Sequence, residues 1–451
     1  MYWDLNSPVL QSARRVVERL REAGYEACWV GGCVRDALLG LPGSDVDVAT
    51  DAPPDRVQAL FPHTVPVGVS FGVVLVVEGN VRTEVATFRQ DGQYLDARRP
   101  ESVTFGSARQ DAQRRDFTLN ALFYDPIEEQ VRDFVGGQAD LEARVLRTVG
   151  DPRARFHEDA LRLLRAVRFT ARFDLTIEPA TDEALREMAP RIQLVSAERI
   201  RDELVKIFTG PHPGTALRLL DACGLLSFVL PEVAAGKGVA QPPNYHPEGD
   251  VFEHTALTLE FLPERPGATL AIAALLHDIG KPPTYQVQDR IRFPLHAQEG
   301  AEMARAVCRR LKFSNAERKQ IVSLVANHMR FIDVQNMRRS RLRRFLAEER
   351  FDEHLALHYA DCMSSNRNLD NHAFCVEARA EFASRTPEAA LPPPLLSGYD
   401  LLTRGYPEGP HLGDILRAVR EAQLDDTLRT REEALDWVAE HWPLEPGEKT
   451  S

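Results

Sequence analysis

The sequence predicts an α+β fold, in which a small mixed sheet with helices comes first and an all-helical region follows. Short strand-like runs crowd the first 150 residues, and the first of them follows a helix at residues 8–23. A helix followed by closely spaced strands is typical of an α+β domain. From Pro152 onward the apolar residues recur almost wholly at helical spacing, which predicts helices to the end of the chain.

The individual elements follow from local patterns. The first helix is predicted to stop at Gly24, a residue that commonly ends helices. Alternating apolar residues then predict strands over residues 27–30, 45–49, 72–77, 82–88 and 122–124. Apolar stripes with charged outer faces predict later helices over residues 157–172, 196–208 and 213–223.

Four regions of unequal size are expected. Two segments rich in proline and glycine, residues 236–249 and 384–398, bracket a helical block that contains many of the histidines. The predicted division is an α+β domain at 1–150, a helical region at 151–235, the histidine-rich helical domain at 236–383 and a helical tail at 384–451.

Composition limits the classes of function. The 451 residues carry 55 Lys and Arg against 67 Asp and Glu, a net charge of −12, so any nucleic acid must bind to a local basic face. Six cysteines without a CxxC pair are expected to be free thiols in a reducing compartment. The longest apolar run, residues 270–276, is far too short to span a membrane. We therefore expect a cytoplasmic protein without a membrane partner.

Two aspartates interrupt a predicted strand. Asp45 and Asp47 lie two residues apart, so their side chains point to the same face of the sheet while Val46 and Val48 are buried. Close carboxylates repel unless a cation lies between them, and Mg²⁺ prefers carboxylate and phosphate oxygens. With Glu84 as a third carboxylate, the pattern predicts two-metal phosphoryl transfer, although a solvated polar face would give the same spacing.

A glycine pair precedes these aspartates. Gly31 and Gly32 follow a strand, where a backbone without Cβ can approach a phosphate closely, and Arg35 can reach the same anion. The whole stretch GGCVRDALLGLPGSDVDVAT resembles the head-domain signature of class II tRNA nucleotidyltransferases and bacterial poly(A) polymerases. This resemblance implies a polymerase-β-like nucleotidyltransferase head, followed by an all-α neck, body and HD domain.

Two further blocks resemble motifs of the same family. In RRDFTLNAL, at residues 114–122, the resemblance implies that Arg115, Asp116 and Asn120 handle the ribose and phosphates of the nucleotide. Taken without the family, the arginines could be surface charge and Asp116 could cap a helix. SAERIRDEL, at residues 196–204, resembles a block that supports a helix, and we assign it no direct chemistry.

HEDALRLLRAVRF, at residues 157–169, resembles the motif that reads the incoming base. The resemblance implies that Asp159 and Arg162 present acceptors and donors to the Watson–Crick edge, in place of a nucleic-acid template. Arg165 and Arg168 would hold triphosphate charge or order that pair. The residues alone also fit a helix with Asp–Arg surface pairs.

The segment between the head strands and RRDFTLNAL bears on specificity. Family members that add only CC lack a flexible loop here, whereas this chain has FRQDGQYLDARRP at residues 88–100. The loop favours addition of CCA or of the terminal A alone, and the sequence leaves these two open.

The histidine-rich block carries a second constellation. His254, His277, Asp278 and Asp361 follow the order H…HD…D, which resembles the HD phosphohydrolase superfamily and implies a divalent metal site. Imidazole with carboxylate suits transition metals or Mn²⁺ better than Mg²⁺. His296 and His328 stand where some HD proteins place further ligands. Structural histidines in a decayed HD fold are the alternative.

The leading hypothesis is a tRNA nucleotidyltransferase that adds CCA, or its terminal A, from CTP and ATP. We expect recognition of tRNA by the shape of its acceptor and T arms, with RRSRLRRF at residues 338–345 as a basic contact surface. The alternatives are a poly(A) polymerase and an HD phosphohydrolase whose head only binds RNA.

Overall fold

The computed structural model describes residues 3–4, 7–42, 45–68, 72–92, 103–385 and 391–444. The chain divides into two compact units. The first comprises residues 1–235 with 306–314, and the second comprises residues 236–305 with 315–451. The predicted division into four regions is finer than this and stays a prediction.

A seven-stranded mixed sheet organises the first unit. The strands of this unit are β1 Ala27–Val30, β2 Asp47–Thr50, β3 Thr64–Gly68, β4 Val73–Glu78, β5 Val81–Thr87, β6 Arg89–Asp91, β7 Val103–Phe105, β8 Leu122–Asp125, β9 Gln130–Asp133, β10 Val145–Leu146 and β11 Thr176–Ile177. The order of strands in the sheet is β3-β4-β5-β2-β1-β8-β9; β2 and β5 are parallel, and the other neighbours are antiparallel.

Helices cover this sheet and continue beyond it. The helices are α1 Pro8–Glu22, α2 Gly32–Leu38, α3 Pro54–Leu60, α4 Ala108–Gln113, α5 Gly137–Glu142, α6 Pro152–Glu158, α7 Leu161–Phe173, α8 Pro179–Met188, α9 Ala197–Phe208, α10 Pro213–Ala222, α11 Leu226–Val229 and α12 Pro231–Ala234, with 3₁₀ turns at Thr118–Asn120 and Ala189–Leu194. Helix α1 buries Val16, Val17 and Leu20 against the sheet, as its helical spacing predicts. Sheet followed by helices confirms the predicted α+β fold class.

The predicted helix at residues 157–172 is wrong at its start. Helix α6 ends at Glu158, and α7 begins at Leu161. Between them Asp159 has extended backbone angles, φ −143° and ψ 103°, and its Oδ1 accepts a hydrogen bond from the amide of Leu161. Asp159 interrupts the helix because a short carboxylate competes for backbone donors.

The second unit is helical apart from one hairpin. The remaining elements are α13 Val251–Glu260, α14 Ala268–Leu276, β12 Gln286–Val287, β13 Ile291–Arg292, α15 His296–Arg310, α16 Asn315–Asn327, α17 Arg339–Leu346, α18 Phe351–Ser364, α19 Asp370–Arg385, α20 Gly398–Leu402, α21 Pro410–Leu424 and α22 Arg431–His441, with 3₁₀ turns at Pro282–Thr284 and His328–Asn336. Within the described ranges, every helix is too short or too polar to cross a lipid bilayer.

The basic segment at residues 338–345 is largely neutralised within the unit. Arg339 Nε lies 2.7 Å and Arg343 Nη1 lies 2.9 Å from Asp426, and Arg344 pairs with Glu421. Arg343 also donates a 2.9 Å hydrogen bond to the carbonyl of Leu424. These arginines therefore anchor α17 to the end of α21, which weakens the expectation that the segment is a free surface for tRNA.

Candidate active sites

Asp47 and Glu84 lie on the same face of the sheet, and Asp45 lies just before it. Val46 and Val48 are buried, whereas Asp45 and Asp47 are exposed, as the alternation predicts. Parallel pairing of Val48 with Val85 places Asp47 beside Glu84, because the register continues back by one residue. Asp45 lies just before β2 and not within it, since the strand begins at Asp47.

Electrostatics tie these carboxylates together. The pKa of Asp47 is raised, first by desolvation and also by repulsion from Asp45, although Arg115 acts to lower it. Desolvation and then the charge of Asp47 raise the pKa of Glu84. Carboxylates that resist ionisation together fit a hard divalent cation, whose charge removes the repulsion. Among the described residues, the groups of three or more possible metal ligands whose atoms all lie within 4.8 Å of one another are in the second unit, so Asp45, Asp47 and Glu84 do not form such a group of three.

Gly31 allows the chain to turn beneath Arg115. Its φ is +79°, and a Cβ there would lie 3.2 Å from Nη1 of Arg115. Arg115 donates hydrogen bonds of 3.1 and 2.9 Å to Asp111 and one of 3.3 Å to the carbonyl of Asn120. Gly32 is the first residue of α2. The glycine pair thus lets the start of α2 approach the arginine.

Arg35 is buried and fully engaged. Its Nε and Nη2 donate hydrogen bonds of 2.8 and 2.6 Å to Asp36, and Nη1 donates to Asn120. Its guanidinium lies 5.2 Å from the ring centre of Phe169 and 4.5 Å from that of Phe173. Desolvation lowers the pKa of Arg35. The side chain joins α2 to α7 here, and its contact with a phosphate stays a prediction.

Asp116 is the buried centre of the RRDFTLNAL block. Its Oδ2 accepts a 2.7 Å hydrogen bond from Nε of Arg165, and its Oδ1 accepts a 3.1 Å bond from Asn120. Burial alone would raise the pKa of Asp116, but Arg165 and Arg162 lower it to about 2. The carboxylate therefore stays ionised and joins the end of the sheet region to α7.

A polar pocket of about 270 Å³ opens between these segments. It brings together five of the predicted nucleotide-binding residues. The residues that line it are Arg114, Arg115, Asp116, Asp159, Leu161, Arg162, Arg165 and Arg199. Gly32, Arg35, Asn120 and Arg168 lie outside this lining. Nε of Arg168 lies 3.0 Å from the buried Glu203, and desolvation lowers the pKa of Arg168 to about 10.

Asp159 and Arg162 do not pair with each other through their side chains in this structure. Oδ2 of Asp159 accepts a 2.7 Å hydrogen bond from Arg199, whereas Nη1 of Arg162 donates a 2.7 Å bond to Glu158. Sequence reasoning missed Arg199 as a site residue, since it treated the SAERIRDEL block as a helix support. The sequence feature that could have identified Arg199 is an arginine on an amphipathic helix, within a block that resembles a family motif.

The second unit assembles the four predicted HD residues. Nε2 of His254 lies 3.0 Å from Oδ1 of Asp361 and 3.3 Å from Nε2 of His277, which lies 3.2 Å from Oδ2 of Asp278. His254, His277 and Asp278 can hold one metal ion together. Imidazole and carboxylate donors fit a divalent transition metal or Mn²⁺.

Hydrogen bonds orient this cluster. Burial acts to lower the pKa of His254, but Asp361 and Glu248 accept its hydrogen bonds and raise that pKa to about 9. The pKa of Asp361 is held well below its usual range, because His254 outweighs desolvation. Glu248 lies 2.6 Å from Nδ1 of His254, so that Nε2 faces the cluster. Glu248 lies in the proline- and glycine-rich segment, and sequence reasoning did not identify it.

A larger cavity of about 760 Å³ adjoins the cluster. Its lining includes Asp278, Asp361, His296 and His328, together with apolar side chains such as Phe293. His254 and His277, both fully buried, are absent from the lining residues. The cavity could hold a phosphoester against the metal-binding groups.

Comparison with known proteins finds matching domains in both units. Three family models match successive parts of the chain: the poly A polymerase head domain at residues 27–147, the probable RNA and SrmB-binding site of polymerase A at 174–237, and the HD domain at 251–366. The fold and these matches thus define a class of protein in which a nucleotidyltransferase head domain is followed by an HD domain. These matches agree with the resemblance to class II tRNA nucleotidyltransferases and bacterial poly(A) polymerases.

The similar proteins include CCA-adding enzymes. That of Geobacillus thermodenitrificans is 47% identical over 223 residues, 49% of this chain and 55% of the relative. That of Limosilactobacillus reuteri is 43% identical over 221 residues, 49% of this chain and 55% of the relative. The chain thus spans about half the length of the curated relatives it matches.

Solved structures resemble the chain over nearly its whole length. A crystal structure of the Bacillus stearothermophilus CCA-adding enzyme in complex with CTP matches with a TM-score of 0.74 and 29% identity, over 96% of this chain and 98% of that one. The Thermotoga maritima CCA-adding enzyme complexed with tRNA matches with a TM-score of 0.61 and 20% identity, over 97% of each chain, which supports the fold alone.

Proposed function

We propose that this chain adds CCA, or its terminal A, to the 3′ end of tRNA from CTP and ATP. One observation carries the proposal: a pocket lined by five arginines and two aspartates joins the RRDFTLNAL block to α7 and α9. The charge of Arg115, one of those residues, also acts on Asp47 of the carboxylate face. A nucleotide in this pocket would thus have its phosphates near the carboxylates.

The carboxylate face would bind the reacting groups. We assign Asp45, Asp47 and Glu84 to Mg²⁺, which when bound would help to ionise the attacking hydroxyl and neutralise charge on the phosphates. The chain's own contribution is to hold these oxygens on adjacent strands. Arg115 and Arg165 would neutralise the remaining triphosphate charge, while Asp116 keeps Arg165 in position.

The base would be read by Asp159 and Arg162. Both line the pocket, and neither side chain bonds to the other, so the carboxylate and the guanidinium can each face a base edge. Arg199 would set the direction of the Asp159 carboxylate. The predicted loop at residues 88–100, which bears on CCA against CC addition, lies outside the described residues from position 93 onward.

Transcripts of one tRNA that end at the discriminator base, at the first C or at CC test the proposal. We expect incorporation of labelled C and then A, measured on a sequencing gel. Incorporation of A onto CC ends, without C onto shorter ends, would select the enzyme that adds only A. Long A tails on unrelated RNA would select a poly(A) polymerase, and absence of all incorporation would contradict the proposal.

We also propose that the HD domain hydrolyses phosphoesters with a divalent transition metal or Mn²⁺. The support is the buried group of His254, His277 and Asp278, with Asp361 beside it, next to a cavity of about 760 Å³.

The basic segment at residues 338–345 is a weaker candidate for a tRNA-binding surface, since acidic side chains of the same unit neutralise much of its charge. All six cysteines are free thiols, which supports the expected cytoplasmic location.

A further inference from the structure

We propose that Asp111 is a positioning residue for nucleotide binding, whose carboxylate holds the side chains of Arg114 and Arg115 in the pocket where they meet the phosphates of the nucleotide. Asp111 lies on α4, before the RRDFTLNAL block, and it is not among the site residues that the sequence predicts. The inference rests on the proposed function for the identity of the ligand, a nucleoside triphosphate. It gives a residue outside the pocket lining a role in the affinity of the pocket.

The carboxylate of Asp111 binds two guanidiniums at once. Oδ1 accepts hydrogen bonds of 2.9 and 2.6 Å from Nε and Nη2 of Arg114. Oδ2 accepts bonds of 3.1 and 2.9 Å from the same two atoms of Arg115. Charge-assisted bonds from two donors of one guanidinium fix the direction of the group as well as its distance. Both arginines, which line the pocket, are therefore oriented by one side chain.

The local sequence brings these side chains together. Helix α4 begins with a capping box formed by Ser107 and the third residue of the helix. Arg114 and Arg115 follow Asp111 by three and four positions, so the three side chains share one face of the helical turn. The neighbouring Ala112 packs into the hydrophobic core, and Asp111 itself is only 2% exposed. The carboxylate is thus held beneath the surface from which the arginines reach the pocket.

The charges of this group favour a polyanionic ligand. Burial acts to raise the pKa of Asp111, but Arg115 and Arg114 outweigh burial, so the pKa is lowered and the carboxylate stays ionised. One negative charge faces two positive charges, so the three side chains together keep a net positive charge. The side chains of both arginines are partly exposed. Asp111 therefore fixes two guanidiniums without cancelling the charge that attracts a triphosphate.

The backbone beside these arginines has a separate anchor. The carbonyl of Arg114 accepts a 3.2 Å hydrogen bond from Nη2 of Arg162, the residue proposed to read the base. The carbonyl of Asn120 accepts a 3.3 Å bond from Nη1 of Arg115. Because Arg162 holds the main chain, loss of the Asp111 carboxylate should release arginine side chains without displacing the chain. Binding of the phosphates should then change, whereas reading of the base should not.

Asp111→Asn separates positioning from simple neutralisation. Removal of one negative charge raises the positive charge of the pocket, which by Coulomb attraction alone would strengthen triphosphate binding. An amide offers one acceptor oxygen, and its NH₂ group would face a guanidinium that has only donors, so one arginine is released. At physiological salt, which screens the added charge, we expect the loss of order to prevail. The dissociation constant of tripolyphosphate with Mg²⁺, measured by titration calorimetry, should rise about tenfold.

Steady-state kinetics give a second measurement. In Asp111→Asn the KM values for CTP and ATP should rise together by about tenfold, while kcat, the KM for tRNA and the choice between C and A change by less than about twofold. Asp125→Asn is the matched control. Asp125 is another buried carboxylate between two arginines, Arg21 and Arg132, and it lies outside the pocket lining. The control should melt at a lower temperature and keep its affinity for tripolyphosphate.

Unchanged or tighter binding of tripolyphosphate to Asp111→Asn would overturn the inference, as would failure of the unsubstituted chain to bind it. Arg115→Gln should weaken binding, and Asp111→Asn should then add less than it does alone; fully additive effects would also overturn the inference. A crystal structure of the unsubstituted chain with ATP needs no folded variant, and Arg114 and Arg115 detached from Asp111 in it would do the same. Absence of nucleotide incorporation despite tripolyphosphate binding would contradict the proposed function alone.

Discussion

The guanidinium of Arg199, on α9, donates a 2.7 Å hydrogen bond to Oδ2 of Asp159 in the break between α6 and α7. This bond fixes a carboxylate whose backbone lies outside both helices. The residue proposed to read the base is therefore oriented by a helix some forty positions further along the chain. Nucleotide choice should depend on both partners.

Substitution of Arg199 should alter the choice between C and A. In Arg199→Lys the planar guanidinium is lost, so Asp159 can rotate, and we expect the C-to-A incorporation ratio to change about tenfold. Competition between labelled CTP and ATP on a fixed primer measures this. Arg201→Lys is the control, since Arg201 is on the same helix but pairs with Asp202. An unchanged ratio in Arg199→Lys would argue against an orienting role.

Asp47→Asn should abolish transfer while the protein remains folded. The side chain is exposed beside the buried Val46 and Val48, so the substitution removes a charge and leaves the core intact. We expect the rate of nucleotide incorporation to fall by at least about 100-fold. Circular dichroism melts check the fold, and Asp55→Asn, an exposed acid on α3, should keep full activity. Near-normal transfer in Asp47→Asn would exclude it as a metal ligand.

Asp116 should stabilise the first unit in a pH-dependent way. Because the folded pKa is lowered to about 2, ionised Asp116 stabilises the fold above its unfolded pKa of about 4, and this contribution is lost as pH falls towards 2. In Asp116→Asn the free energy of unfolding at pH 7 should fall by about 3 kcal/mol, since Arg165 loses its buried partner.

Denaturant titrations from pH 7 downward measure this difference. The gap between the original chain and Asp116→Asn should narrow below about pH 4. Asp202→Asn removes an exposed ion pair, so it should change the free energy of unfolding by less than about 1 kcal/mol. A gap for Asp116→Asn that stays constant with pH would show that the carboxylate's charge is not the source of its effect.

The HD centre should be separable from nucleotide transfer. His277→Gln removes a ligand of the buried cluster, so hydrolysis of bis(p-nitrophenyl) phosphate with Mn²⁺, Co²⁺ or Ni²⁺ should disappear. Incorporation of C and A onto tRNA should be unaffected in the same preparation. His441→Gln, at the end of α22, serves as the control. Equal hydrolysis by His277→Gln would locate that activity elsewhere.

Periodicity predicted the parts of the site that lie in regular structure. Asp47 and Glu84 occupy the exposed face of adjacent strands because alternation along a strand determines which face a residue takes. The four HD residues were recognisable from their order and chemistry. Their distances, down to 3.0 Å between His254 and Asp361, come from packing of helices that are distant in sequence.

Other parts of the site depend on contacts between residues that are distant in the chain, which local sequence patterns do not reveal. The apolar spacing continues through Phe156, Ala160 and Leu163, so it gives no sign of the break at Asp159. Glu248 comes from an irregular segment and becomes important because it meets His254. Arg35 was expected at the phosphate, but burial against Phe169 and Phe173 could not be deduced from its position in the motif.

The backbone of Gly280, two residues after Asp278, lies very close to the main chain at the start of α15. A Cβ on Gly280 would lie 2.1 Å from the carbonyl oxygen of His296 and 2.6 Å from the amide nitrogen of Gly300. The main chain after the HD dipeptide therefore rests directly on the first turn of α15. Main-chain contact therefore determines how far the backbone after Asp278 lies from that of His296. Any side chain at position 280 would force these two segments apart and would move Asp278 relative to His296.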